Sequence, residues 1–173
     1  MEDEKKHELL LEYCYKEYKN QEDRKNHTDE KASYIIVFAS VIIGYFISSF
    51  PIKEFIMDFR IEGYEFFEYS LKLIVILGYL TAFVTCIISI YFFVSVLINK
   101  NYKRIDQESL VGKKEIKKDY IDILQELNEA YYNSVKYNTE INDKIMNNYK
   151  AGMVLFLISL TSTAVIGMII NWR

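Results

Sequence analysis

The sequence predicts an all-α, multi-pass membrane protein with three transmembrane helices and a cytoplasmic helical bundle or coiled coil. Three observations carry this expectation. Apolar residues, 51% of the 173-residue chain, are gathered into blocks instead of being spread evenly. Three of these blocks, 32–50, 73–98 and 151–171, reach the ~20 residues that a bilayer core requires. The stretches outside them include long Glu- and Lys-rich segments with helical periodicity and few Gly or Pro residues.

The elements follow in order. Residues 1–28 predict a cytoplasmic N-terminal helix, because 3–25 contain no Gly or Pro. Leu9, Leu10, Leu11, Tyr13, Cys14, Tyr15 and Tyr18 give that helix a broad apolar stripe. Thr28, followed by Asp29 and Glu30, suits the cap and acidic first turn of a new helix. Transmembrane helix 1 is therefore expected over 29–50. The uncharged run after Lys31 begins too late for a secretory signal, follows an acid-rich segment and has no small-residue cleavage site.

Residues 51–70 predict an extracytoplasmic interfacial loop or helix. Ile52, Phe55, Ile56 and Phe59 share one helical face, with Lys53, Glu54, Asp58 and Arg60 opposite. Tyr64, Phe66, Phe67 and Tyr69 form an aromatic belt, and Trp172 is expected at the same level. This region either anchors the chain or lines a mouth.

Transmembrane helix 2 is expected over 71–99. A cytoplasmic linker and long helix follow over 100–148, and transmembrane helix 3 over 149–171. Within the long helix Ile116, Tyr120, Ile123, Leu127, Ala130, Ser134, Tyr137 and Ile141 alternate four and three apart, as in a coiled-coil seam. No breaker stands between Gly112 and Gly152, so one helix is expected from about residue 114 to 170. At ~1.5 Å per residue its polar part would reach on the order of 50 Å into the cytoplasm. One helix cannot bury such a seam alone, so the N-terminal helix and further copies of the chain are expected as its partners, in a homo-oligomer.

Charge sets the orientation. Seven Lys and Arg precede the first span, ten lie between 99 and 150, and three sit in or beside the 51–71 loop. The positive-inside rule then places the N-terminus and 99–150 in the cytoplasm, with the C-terminus outside. A reporter active only in the cytoplasm should work when fused after Gly112 and fail when inserted near Gly63. The opposite pattern would overturn this orientation.

Chemistry is sparse. The net charge of −3 does not favour nucleic acid as partner. Cys14 and Cys86 are too far apart to pair, and His7 and His27 form no metal-ligand spacing. The Gly-Lys step in VGKKE lacks a Gly-rich loop, so it is no phosphate loop. No catalytic constellation, cofactor or metal is expected. The spans carry no charge, which argues against an ion-coupled carrier.

The spans do carry rows of small residues: Ser40-Gly44-Ser48, Gly78-Ala82-Cys86 and Ser159-Thr163-Gly167. Such rows let helix backbones approach closely, either as ordinary packing or around a polar-lined pore. Lys100, Lys103, Arg104, Lys113, Lys114, Lys117 and Lys118 form two basic clusters suited to lipid headgroups or to a ligand phosphate.

Two stretches carry a resemblance. TDEKASYIIVFASVIIG resembles the Asp-x-Lys-Ala-Ser start of the first span in the Pycsar membrane effectors. AYYNSVKYNTEINDKIMNNYKAGMVLFLISL is similar to the closing element of that family, a polar helix with Asn-Ser and then a Lys-containing step into the last span. The related SLATT-type membrane effectors share the helix–spans–helix layout. The resemblance implies a bacterial antiphage defence effector. A companion cyclase would make a cyclic pyrimidine nucleotide (cCMP or cUMP), and the effector would then impair the inner membrane, causing growth arrest or cell death (abortive infection). It also implies ligand-binding roles for Asp29, Lys31, Ala32, Ser33, Asn133 and Ser134. A separate cyclic-nucleotide-binding domain is not visible in the sequence. A pore-forming effector of another nucleotide-signalled system, a membrane scaffold and a holin-like protein remain the other readings.

Overall fold

A computed structural model of the chain describes residues 2–49, 66–98, 102–105 and 119–171. The described residues form three long helices: α1 (Glu2–Ser49), α2 (Phe66–Ile98) and α3 (Tyr120–Asn171). All three are long and apolar enough to cross a membrane. The predicted interfacial helix at 52–60, Tyr64, Trp172, Gly112, Ile116, Lys100, Lys113, Lys114, Lys117 and Lys118 lie outside the described residues.

The chain divides into two compact units. A polar unit comprises 1–30 and 96–147, and an apolar unit comprises 31–95 and 148–173. In the polar unit α1 and α3 run parallel. His7 meets Asn128, Tyr15 and Tyr18 meet Tyr131, Gln21 meets Asn142, and Arg24 meets Asp143. The side of α1 that turns inward carries His7, Leu11, Cys14, Tyr18, Gln21, Lys25 and Thr28, spaced four and three apart. That spacing is the left-handed coiled-coil period. Leu9, Leu10, Tyr13 and Tyr15, which the sequence joins into one apolar stripe, stay exposed.

Thr28 does not cap a helix. It is 6% exposed in mid-helix, and its hydroxyl donates to the Arg24 carbonyl one turn back. The physical reason is continuity. No Gly or Pro interrupts 2–43, and a Thr can bond back along its own helix without breaking it.

The seam of α3 is also shifted from its expected phase. Leu124, Asn128, Ser134, Asn138, Ile141, Asn142 and Ile145 are buried, whereas Tyr120 and Tyr137 are exposed and Ile123, Leu127 and Ala130 only half-buried. Ser134 and Ile141 of the expected seam do lie inside, and asparagines, not tyrosines, join them there.

In the apolar unit α2 and α3 run antiparallel. Ser95 meets Asn148, Phe93 meets Tyr149, Ser89 meets Gly152, Ala82 meets Ser159 and Gly78 meets Ile166. Phe46 of α1 packs edge-on against Tyr79 and Phe83, while Phe38 meets Phe156. The Tyr79 hydroxyl donates to the Phe46 carbonyl. Ser89 and Ser159 are wholly buried and each donates across the helix pair to a main-chain carbonyl at 2.8 Å. In lipid such a bond contributes about 0.6 kcal/mol on average. Close approach of the backbones, not these bonds, is therefore the larger part of the packing.

The small-residue rows divide accordingly. Ala82 and Cys86 are wholly buried and Gly78 stands against Ile166, so the second row is used within the chain. Ser40, Gly44 and Ser48 are exposed, and a Cβ added at Gly44 would meet nothing within 4 Å. In the third row Ser159 is buried, Thr163 half-buried, and a Cβ at Gly167 again meets open space.

Candidate functional site: a buried amide cluster

The core of the polar unit is not purely apolar. Three asparagines of α3 point inward, and each donates its amide to a main-chain carbonyl of a neighbouring segment. Asn128 donates to His7 at 3.2 Å, Asn138 to Lys103 at 3.1 Å and Asn142 to Gln21 at 2.9 Å. Asn142 also donates to the Gln21 side-chain oxygen at 2.9 Å, and Gln21 in turn donates to Glu17 at 3.3 Å. A buried asparagine in a helical seam fixes register, because any slide leaves its amide without partners.

Asn138 has a second task. It is wholly buried, and its Oδ1 accepts the Lys103 N–H at 2.9 Å while its Nδ2 donates to the carbonyl of the same residue. The amide thus grips one residue of main chain as a neighbouring β-strand would. This grip holds the non-helical segment 102–105 against α3. Tyr102 and Ile105 turn partly inward, and Lys103 and Arg104 face outward.

Burial pushes the Tyr102 hydroxyl up to about 12, and the charges of Tyr18 and Glu22 act in the same direction. The amides of Asn142 and Asn138 lie near enough to pull the other way. Neither closes a bond of normal geometry: among the described residues the buried Tyr102 hydroxyl and the buried Asn142 Oδ1 have no hydrogen-bond partner. Burial likewise raises the Cys14 thiol, which suits a packing role over a reactive one. Tyr131 lies edge-on to both Tyr15 and Tyr18, with ring centroids 5.8 and 5.7 Å away.

The residues singled out by resemblance occupy different levels. Asp29 is half-buried and bonded to Lys25 at 2.7 Å, an i,i+4 pair within α1. Lys31 and Ser33 are exposed, and Ala32 is wholly buried. Asn133 is exposed, while Ser134 is buried. Ser134 lies between Tyr131, opposite Tyr15 and Tyr18, and Asn142, opposite Gln21. Asp29 therefore stands roughly two helical turns or more beyond the level of Ser134. Those two positions do not form one pocket.

Sequence reasoning missed Tyr102, Asn138, Asn142 and Gln21. A signal was present: Asn128, Asn138 and Asn142 sit ten and four apart on α3, spacings that repeat on one helical face. No known protein family, curated protein or solved structure matches the chain.

Proposed function

We propose that the protein is a non-enzymatic effector of bacterial antiphage defence, lodged in the inner membrane with its N-terminus in the cytoplasm. In this reading a cyclic nucleotide from a companion cyclase reaches the polar unit, and copies of the chain then impair the membrane. The sequence resemblance supplies the biological setting. One structural observation carries the mechanism: α1 and α3 each contribute residues to both units. A shift in how their polar parts pack therefore acts on the same two backbones that bear apolar, membrane-length segments. Such a shift needs two discrete packings, and directional amide bonds make the positions between them costly.

The contact between copies is assigned to the small positions that the chain's own packing leaves open. Ser159 is spent on Ala82, so Gly44 and Gly167 are the informative places. Gly44→Leu and Gly167→Leu should insert normally, because Leu is favoured in lipid, and should abolish membrane damage by blocking close approach. Dye leakage or depolarisation, in cells with and without the companion cyclase at matched protein level, reads this out. If both variants leak like the parent, these faces are not the working surface. If the parent never leaks under any signal, the effector reading falls and a scaffold role replaces it.

A further inference from the structure

Asn138 spends its whole amide edge on the main chain of one non-helical residue. Beside that grip lie a buried hydroxyl and a buried amide oxygen, Tyr102 OH and Asn142 Oδ1, neither of them bonded among the described residues. An unmet donor and an unmet acceptor in an interior are costly, and a molecule that satisfies both is held there. Asn138 and Asn142 are one turn apart on the same face of α3, so their amides form a continuous polar floor. Tyr18 lies near enough to Tyr102 for its charge to act there, and its ring packs edge-on against Tyr131. Lys103 and Arg104 are exposed on the same segment and offer positive charge at its outer side.

We propose that the Asn138–Asn142 amide floor is a binding site for a small planar ligand presenting an N–H and a C=O side by side, as a nucleobase does. The main chain of Lys103 holds the site closed by occupying that edge itself. The peptide edge of Lys103 and the ligand's edge offer the same donor–acceptor pattern, so they exclude one another at Asn138. When the ligand takes the edge, the Lys103 peptide is displaced from Asn138 while Tyr102 stays beside Asn142. The Tyr102 hydroxyl then donates to a second ligand carbonyl, Asn142 Oδ1 accepts from a further ligand donor such as a ribose hydroxyl, and an anionic group meets Lys103 or Arg104. The choice of nucleotide as probe rests on the effector reading above, whereas the location of the site does not.

The test uses the full chain in nanodiscs. Calorimetric titration compares cUMP, its N3-methyl analogue and the cyclic ribose phosphate without a base. Hydrogen exchange follows the Lys103 amide. cUMP should bind, N3-methylation should weaken it at least tenfold, and the baseless compound should not bind measurably. Exchange at Lys103 should rise at least tenfold when cUMP is bound. Asn138→Asp keeps shape and acceptor but loses the donor, and should weaken cUMP at least tenfold. Tyr102→Phe removes a hydroxyl that bonds to nothing in the closed state, so it preserves the fold and should still weaken binding several-fold. Equal binding by the parent and both variants would overturn the proposal, as would unchanged exchange at Lys103. Leakage that persists with the companion cyclase while cUMP fails to bind would sink this site and leave the effector reading standing. Binding here without leakage would do the reverse.

Discussion

Gly152→Leu is expected to lower the thermal unfolding midpoint of the protein in detergent by about 2–12 °C, the shift that an overpacking cost of ~1–3 kcal/mol gives a chain of this size. A Cβ at this position would stand 3.1 Å from two ring carbons of Phe93 and 3.3 Å from the Phe92 Cβ. Phe93 is wholly buried and has nowhere to turn. Replacing a helical glycine gains up to ~1 kcal/mol in helix propensity, so the two effects oppose each other. Steric crowding wins at Gly152 because the substitution also pushes apart the helices that the Ser89 bond to the Gly152 carbonyl joins. At Gly44 and Gly167, where a Cβ meets nothing, propensity wins and the midpoint should hold or rise slightly. Equal losses at all three glycines would mean that α2 and α3 do not pack as described.

Ile145→Asp should destabilise the polar unit by about 3–5 kcal/mol, through the lost burial of a large side chain and the cost of an enclosed carboxylate. Ile145 is 1% exposed. Tyr137→Asp is the matched control. Tyr137 is 42% exposed, so its replacement should cost less than about 1 kcal/mol. Limited proteolysis in nanodiscs over a urea series separates the two, since 120–147 becomes cleavable when the bundle opens. The expected phase of the seam, with Tyr137 inside, requires the reverse ranking. A larger loss at Tyr137 would therefore restore that phase and overturn the packing of the asparagines.

That contrast marks the limit of what could be read from the chain alone. Membrane-length helices were legible because transfer of apolar residues adds up along the sequence, and 73–98 needs no partner to announce itself. Helix continuity was partly legible from the lack of breakers. It failed at Thr28, where a good capping residue is also one that bonds back along its own helix. The phase of α3 was misread because periodicity counts tyrosine as apolar and asparagine as polar. The inner positions were decided by bonds to His7, Lys103 and Gln21, two of them 121 residues away in the chain. The grip of Asn138 on Lys103 spans 35 residues, and no local pattern encodes it.

The asparagines of α3 grasp carbonyls, and every residue type possesses one. A mutation at His7 or Lys103 changes the side chain and leaves the group being held untouched, whereas a mutation at Asn128 or Asn138 removes the hand itself. Constraint on this bundle is thus lopsided. Over evolutionary time α1 and the 102–105 segment can wander at the gripped positions while α3 cannot, so descendants could keep the architecture after losing most visible kinship. Ancestry in such a lineage would be written in where asparagines recur along the last helix, more than in overall likeness.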